Sequence, residues 1–431
     1  MMKPLKIYAA IAIALTMTMA AMACSSNDDG KDSQKVTPTP DEPMSNEDNE
    51  RKEIELTRSE YQLVTSNNDF AFNLFRQATA TNATKSTILS PLSITYALGM
   101  LNNGAAGLTQ AQINNVLGFG ATGADGINAF CHKMLTAAPV LDKLTKVMIA
   151  NTIYVNKDYQ LNSDFVNKAQ NYYDATPETR DFSDGHTLDV INKWASDHTE
   201  KMIEKVLDQD SFNPTAVSYL LNAIYFKGAW AMKFDKDNTK DETFKGYDKD
   251  TTMPMMHQEH EFNYNEDDNC QVLRLPYGNS AYEMTILLPK EGKTVGEVLQ
   301  TLTTNTWQDL RYMKSAIVDV KLPRFESNTD IELNDIMSIL GMPNAFSDTL
   351  AEFPNFCNVS TCIDMMKQVA RIKVNEEGTE AAAVTVIGVK NTSVSIDEPQ
   401  RVHFHATRPF LYVISEQSTG AIFFIGQYMG N

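Results

Sequence analysis

Val374-Asn375-Glu376-Glu377-Gly378-Thr379-Glu380-Ala381-Ala382-Ala383-Val384-Thr385-Val386-Ile387-Gly388-Val389-Lys390-Asn391-Thr392-Ser393 carries two opposed local preferences. Glu380-Ala381-Ala382-Ala383 favours helix, whereas Val384-Thr385-Val386-Ile387 favours strand. Gly378 and Gly388 punctuate the two ends. Such conflict argues against one stable local structure and for a segment that changes state. Laid out as a strand, Thr379, Ala381, Ala383, Thr385 and Ile387 share one face. That face is uncharged, and its first four residues are small or β-branched, so it could enter the middle of an existing sheet without a clash. A frayed helix start followed by an ordinary surface strand is the plainer account of the same residues.

The chain has 431 residues, 42% of them hydrophobic, enough for a substantial core. Its net charge of −18 opposes nucleic-acid binding, which needs a basic footprint. Lys3 and Lys6 precede a mostly apolar run, Ile7 to Met22, as in an export signal over residues 1–23. Ala21-Met22-Ala23-Cys24 resembles a bacterial lipobox, with lipid expected on Cys24; Met22 departs from the usual pattern, and a plain secretory signal or short anchor is the other reading. Ser25-Ser26-Asn27-Asp28-Asp29 resembles the acidic export tag of lipoproteins in Bacteroidetes-type bacteria. Residues 24–55 are polar, acidic and proline-containing, which predicts a disordered tether with an average span of roughly 30 Å. The expected location is the cell envelope, anchored by lipid alone, on the outer-membrane surface or its periplasmic face. Cys131, Cys270, Cys357 and Cys362 allow three disulfide connectivities or four free thiols.

The folded domain is expected over 56–431. Asn67-Asn68-Asp69 reads as a capping group before a helix carrying Phe70, Phe72, Leu74 and Phe75. Ile88-Leu89 reads as a short buried strand broken at Pro91, with a helix capped near Ser90. Gly104–Ile113 is a turn into a helix, Gly118–Gly126 a loop, and Met148–Asn156 a strand. Leu220–Asp235 reads as a buried strand, a Lys227-Gly228 turn and an aromatic-rich strand containing Trp230. Val272–Tyr277 and Met284–Pro289 form a strand pair, and Val318–Phe325 alternates cleanly. Phe404–Leu411 and Gly420–Gly426 are two apolar strands near the C-terminus.

In order along the chain, these motifs resemble the serpins, from about residue 56 to 431. Lys373–Ala383 looks like their hinge, Ile88–Met100 their shutter, Ile191–Trp194 with Lys201–Ile203 the helix over their main sheet, and Leu220–Asp235 the strand region that carries a shutter residue and the breach. The resemblance implies an α+β fold with a large central β-sheet A, further sheets B and C, eight or nine helices and an exposed reactive-centre loop at about 376–401. It implies a hinge of Glu376, Gly378, Thr379, Glu380, Ala381, Ala382 and Ala383. Ser90, Ser93, Asn222 and Gln368 would lie at the shutter, and Trp230 at the breach, where the loop first enters the sheet.

The implied function is inhibition, not catalysis: a monomer forming a covalent 1:1 complex with an elastase-like or trypsin-like serine protease, with cysteine proteases as a further class. About seventeen residues from Glu376 put the bait bond at Thr392-Ser393, with Lys390-Asn391 as the alternative. Insertion at about 3.3 Å per residue would carry the acylated protease some 50–60 Å. New ladder bonds at roughly 1 kcal/mol each would drive it by on the order of 10 kcal/mol, so the uncut state is metastable. Three features depart from the family: a long segment from Val394 to Val402, Gln368 in place of the shutter histidine, and an irregular Glu352–Ile363.

Other chemistries find little support. His257 and His260 could share a helix face but lack HExxH spacing and an evident third ligand. His403 and His405 alternate on one face of a strand, which reads as a polar face. No metal, cofactor, GxSxG elbow or triad spacing is expected. A non-inhibitory serpin, acting as carrier or scaffold, predicts loop cleavage without trapping. A surface-binding lipoprotein of unrelated fold predicts ordinary unfolding and no single protease-sensitive loop.

Overall fold

Thr57-Arg58-Ser59-Glu60 starts the first long helix, with the Thr57 and Glu60 side chains each accepting from the other residue's backbone N–H. The computed structural model describes residues 49–310, 312–379 and 400–431. Cys24, most of the tether and the loop residues 380–399 lie outside them. The helices are α1 (Arg58–Ala80), α2 (Pro91–Asn102), α3 (Gly107–Val116), α4 (Gly123–Ala137), α5 (Ser163–Tyr173), α6 (His186–His198), α7 (Val295–Thr301), α8 (Thr304–Asp309) and α9 (Asn334–Leu340). The strands are β1 (Thr87–Leu89), β2 (Thr145–Asn156), β3 (Pro177–Arg180), β4 (Ser218–Ala229), β5 (Lys240–Lys245), β6 (Asp250–Glu266), β7 (Cys270–Tyr277), β8 (Tyr282–Pro289), β9 (Lys314–Pro323), β10 (Phe325–Glu332), β11 (Lys367–Asn375), β12 (Gly378–Thr379), β13 (Arg401–His405), β14 (Phe410–Glu416) and β15 (Ile422–Tyr428).

Six strands form the central sheet in the order β10-β11-β12-β4-β2-β3. Nine form the second, β1-β15-β14-β8-β7-β6-β9-β13, with β5 also on β6. The long β6 joins what would otherwise be two sheets: one end pairs with β5, the middle with β9 and the other end with β7. Aromatic rings knit the two layers. Phe325 packs on Phe410, Tyr412 and Tyr428, and Phe226 packs edge-on against Tyr277 and Tyr282.

Several local expectations change in three dimensions. Asn67-Asn68-Asp69 is no cap. It lies inside α1, where Asn67 donates to Thr95 Oγ1 (2.8 Å) and Asn68 to the Gly420 carbonyl (2.9 Å). Tertiary partners, not helix ends, explain these polar residues. Lys227-Gly228 is no turn, since β4 runs through it; a Cβ on Gly228 would sit 2.8 Å from the Tyr277 ring. The alternation at 318–325 crosses two strands, because the chain passes from β9 to β10 and so changes sheet. Phe404–Leu411 likewise divides between β13, parallel to β9, and β14, paired with β15. Gly123 and Gly126 start α4 rather than continue a loop, and Lys201–Ile203 follow α6 rather than extend it.

The fold also begins before residue 56. Asn49 donates to Asp142 Oδ1 (3.0 Å), and Ile54 is buried. Cys131, Cys270, Cys357 and Cys362 are free thiols, so none of the three pairings forms.

Asn68 also accepts from the Ile422 N–H (3.2 Å), tying α1 to the strand that closes the C-terminal hairpin. Asn68→Ala removes this partner from the Ile422 N–H and leaves the Gly420 carbonyl with the Trp307 indole N–H (3.1 Å), and leaving a buried group unpaired costs about 1–3 kcal/mol. Urea unfolding should show a clear loss of stability for Asn68→Ala and little for Asn73→Ala on the exposed side of the same helix.

Candidate functional site: a slot in the central sheet

Below β12, no pairing among the described residues joins β4 to β11. The two strands are parallel and are bridged at one end only, where β12 runs antiparallel to both. Val374 and Gly228 flank Thr379, while Asn375 and Ala229 flank Gly378. Beyond them lies a cavity of about 460 Å³ lined by Ser218–Phe226 of β4, Lys367–Lys373 of β11, Ser90 and Ser93 at the start of α2, and Trp194 of α6. Although β4 is central, its residues Ser218–Asn222 are only partly buried, as an open edge requires.

The turn into β12 is held on every side. The Trp230 N–H donates to the Glu377 carbonyl (2.9 Å), and its indole Nε1 donates to the Asn375 carbonyl (2.9 Å). Trp230 stacks flat on Tyr277, 4.5 Å between ring centres, and the Tyr277 hydroxyl shares a 2.6 Å hydrogen bond with Thr379 Oγ1. Gly378 has φ +150°, and a Cβ there would lie 2.0 Å from the Gly228 carbonyl oxygen. Two close-packed glycines therefore let the chain slip between the strands.

Glu376 is 2% exposed and sits on Arg324 (2.6 Å) and Thr239 (2.8 Å). Glu377 pairs with Lys233 and Lys236, both at 2.9 Å. Sequence inspection alone did not single out Arg324, Lys233, Lys236 or Tyr277. Two adjacent glutamates beside a hinge were the available hint, because buried carboxylates need cations.

The polar residues expected at the middle of the sheet do converge. Ser93 donates to Asn222 Oδ1, and Asn222 Nδ2 donates to Asn151 Oδ1 (2.8 Å). Gln368 uses both ends of its amide: it accepts from the Ser90 N–H (3.0 Å) and donates to the Ser90 carbonyl (2.9 Å). Ser90 Oγ donates to the Phe423 carbonyl (2.9 Å) and receives the Ser93 N–H, so it caps α2 and reaches the second sheet at once. An amide at 368 makes a two-point bond that does not titrate. Glu380, Ala381, Ala382, Ala383, Lys390, Asn391, Thr392 and Ser393 lie outside the described residues.

The profile of the family described as Serpin (serine protease inhibitor) matches residues 65–430. The chain belongs to the serpin family. It is 32% identical over 375 residues to Serpin B6 of Macaca fascicularis, covering 85% of this chain and 98% of that one. It is 31% identical over 392 residues to mouse antithrombin-III, covering 88% and 84%. In structure it is similar to the thermophilic serpin tengpin in its native state, with TM-score 0.77, 28% identity and coverage of 91% and 97%. It is also similar to a thyroxine-binding globulin in complex with thyroxine, with TM-score 0.75, 26% identity and coverage of 86% and 99%. The expected serpin fold is thus present, with nine α-helices among the described residues. The family is one of protease inhibitors rather than catalysts, whose inhibitory members form covalent complexes with their targets, and it also has non-inhibitory members.

The Glu376 contacts have a pH signature. Burial opposes its charge, but Arg324 and Thr239 outweigh it and hold the carboxyl below its ordinary value of 4.5. A carboxyl lowered in the folded state adds stability that is complete above its unfolded pKa and is lost as pH falls through the lowered one. The hinge should therefore be fully held at neutral pH and loosen below about pH 4.5. Limited proteolysis of the 376–401 region should accelerate on acidification, and Glu376→Gln should show the fast rate already at neutral pH.

Proposed function

We propose that this serpin is a suicide-substrate inhibitor whose loop, once cut, inserts along the whole slot between β4 and β11. The observation that carries the proposal is β12: the hinge already occupies the top of the slot in register with both walls, and no other described strand lies between them. Continuing that register sets Thr385 opposite Asn222 and Gln368, within the Ser90–Ser93 cluster, and Val386 opposite Leu221 and Lys367. A small polar residue thus meets the polar middle of the sheet. The apolar and small residues Ala381, Ala383 and Ile387 would follow the buried side of Thr379.

In the trapping step, the protease hydroxyl attacks the Thr392 carbonyl. An ester to the enzyme forms, the peptide bond breaks and the Ser393 amine leaves with the C-terminal piece. Insertion then moves the ester away before water can hydrolyse it. Lys390-Asn391 is the alternative bond and would favour trypsin-like enzymes, whereas Thr392-Ser393 suits elastase-like ones. Incubation with elastase and with trypsin, followed by denaturing gels and mass spectrometry, tests the reading. A band at the summed mass less the C-terminal peptide, with that released peptide beginning at Ser393 or Asn391, supports it. Cleavage with no adduct across a protease panel sinks it.

A carrier role is the second reading. It draws on the cavity volume, which falls in the range of small-molecule sites, and on the likeness to the thyroxine-binding globulin. It expects cleavage without adduct and a bound small molecule that competes with loop insertion.

Two expected outcomes follow from the inhibitory reading. Thr379→Arg places a charge where Thr379 is 2% exposed, so it should turn inhibitor into substrate. Ala381→Glu should do the same, read as adduct yield per cut loop falling at least severalfold. We further propose that Cys24 is lipidated and tethers the domain to the outer-membrane surface or its periplasmic face. Labelled palmitate should enter the wild-type chain in a bacterial host, and Cys24→Ala should abolish the label and release the protein from the membrane fraction. Among the described residues no helix is long and apolar enough to cross a membrane.

A further inference from the structure

His403 and His405 share a face of β13, and Asp319 lies beside them on β9, the neighbouring strand. His403 Nδ1 is 2.8 Å and His405 Nε2 3.0 Å from Asp319 Oδ2. The three ligand atoms all lie within 4.8 Å of one another. On the other side of β9, His257 of β6 holds the second oxygen of the same carboxylate, Nε2 to Oδ1 at 2.6 Å. Three imidazoles from two strands thus surround one carboxylate of a third. His260, three residues from His257, sits on the opposite strand face and does not reach Asp319, so the pair weighed as ligands in the sequence is split by the strand period.

We propose that Asp319, His403 and His405 form a binding site for a divalent first-row transition-metal ion, zinc foremost, that pins β13 to β9. Two imidazole nitrogens and a carboxylate oxygen form a donor set that such ions accept, with water in the open position. Metal–ligand bonds of about 2.0–2.1 Å set tetrahedral donors roughly 3.3 Å apart. The 2.8 and 3.0 Å contacts to Asp319 lie a few tenths of an ångström inside that spacing, and the two histidine nitrogens lie within 4.8 Å of one another. His257 is a positioning residue, orienting the carboxylate from its far oxygen as an outer-shell partner does.

The surrounding charges permit a cation. Lys321, the cation next along β9, is neutralised by Glu242 at 2.7 and 2.8 Å, and Arg401 by Glu259 at 2.6 Å. The face is open, with His403 exposed and His405 half-exposed.

The site has a structural consequence. Among the described residues β13, five residues long, is the edge strand of its sheet and pairs with β9 alone. It is also the first described element after the loop residues 380–399. An ion shared between β13 and β9 would fasten the C-terminal anchor of that loop. The inference does not depend on whether the loop traps proteases.

The test uses the full chain without a histidine tag, stripped with chelator. It is titrated with Co²⁺ by visible absorption and with Zn²⁺ by calorimetry, and the thermal midpoint is followed with and without Zn²⁺. One saturable site with tetrahedral-type cobalt bands, and a zinc-raised midpoint, are expected. His403→Ala/His405→Ala should weaken binding by about 100-fold or more and remove the thermal shift, while His260→Ala should leave both unchanged. Asp319→Asn keeps the side-chain shape and should lose the site too, which decides the matter if the double variant does not fold. No saturable binding by the wild type, or equal affinity in Asp319→Asn, would overturn the proposal.

Discussion

A gap between two parallel strands governs this molecule. β4 and β11 each pair on their outer side, with β2 and β10, and among the described residues face one another with only β12 between them at one end. Backbone N–H and C=O groups are obligatory hydrogen-bonding groups, and each unmade bond in the interior carries a cost. Among the described residues the chain meets part of that demand with β12, which follows β11 at once and pairs with both walls. The hinge, the polar cluster and the long helices around the slot are arranged about that position.

Two sets of contacts keep the gap in its present state. At the top, Trp230 and Tyr277 form a flat stack against the turn, and Glu376 and Glu377 are each held by cations or hydroxyls from other elements. These contacts admit two residues of the loop and fix their register. In the middle, Ser90, Ser93, Asn222 and Gln368 form a hydrogen-bonded group linking α2 to both walls. The Gln368 amide grips the Ser90 backbone at two points, so a residue that departs from the family pattern still closes the network. Short hydroxyl and amide groups suit this place because each can both donate and accept.

Along the other face of the molecule, the nine-stranded sheet carries the far end of the loop on β13. This edge strand is held by five residues of parallel pairing and by the Asp319–histidine cluster. The loop is therefore moored at one end inside the central sheet and at the other on the rim of the second sheet. Segments moored this way can be cut without releasing either half from the fold.

Much of this was legible in the sequence. The glycine at 378, the serines at 90 and 93 and the aromatic run at 225–234 carried the resemblance to the serpins, because special residues act locally, while the uncharged face that begins at Thr379 continues outside the described residues. Tertiary structure decided what local pattern cannot express. Asn67 and Asn68 looked like a cap, but their partners, Thr95 and Gly420, are brought to α1 only by folding. Lys227-Gly228 looked like a turn, but the missing Cβ serves the Tyr277 ring. The strand over 318–325 looked continuous, yet it changes sheet at Arg324, whose charge then meets Glu376. Four side chains at positions 257, 319, 403 and 405 meet only because β6, β9 and β13 lie side by side. Patterns of hydrophobicity and backbone freedom are written residue by residue, whereas charge pairs, ring stacks and ligand clusters depend on which distant strands become neighbours.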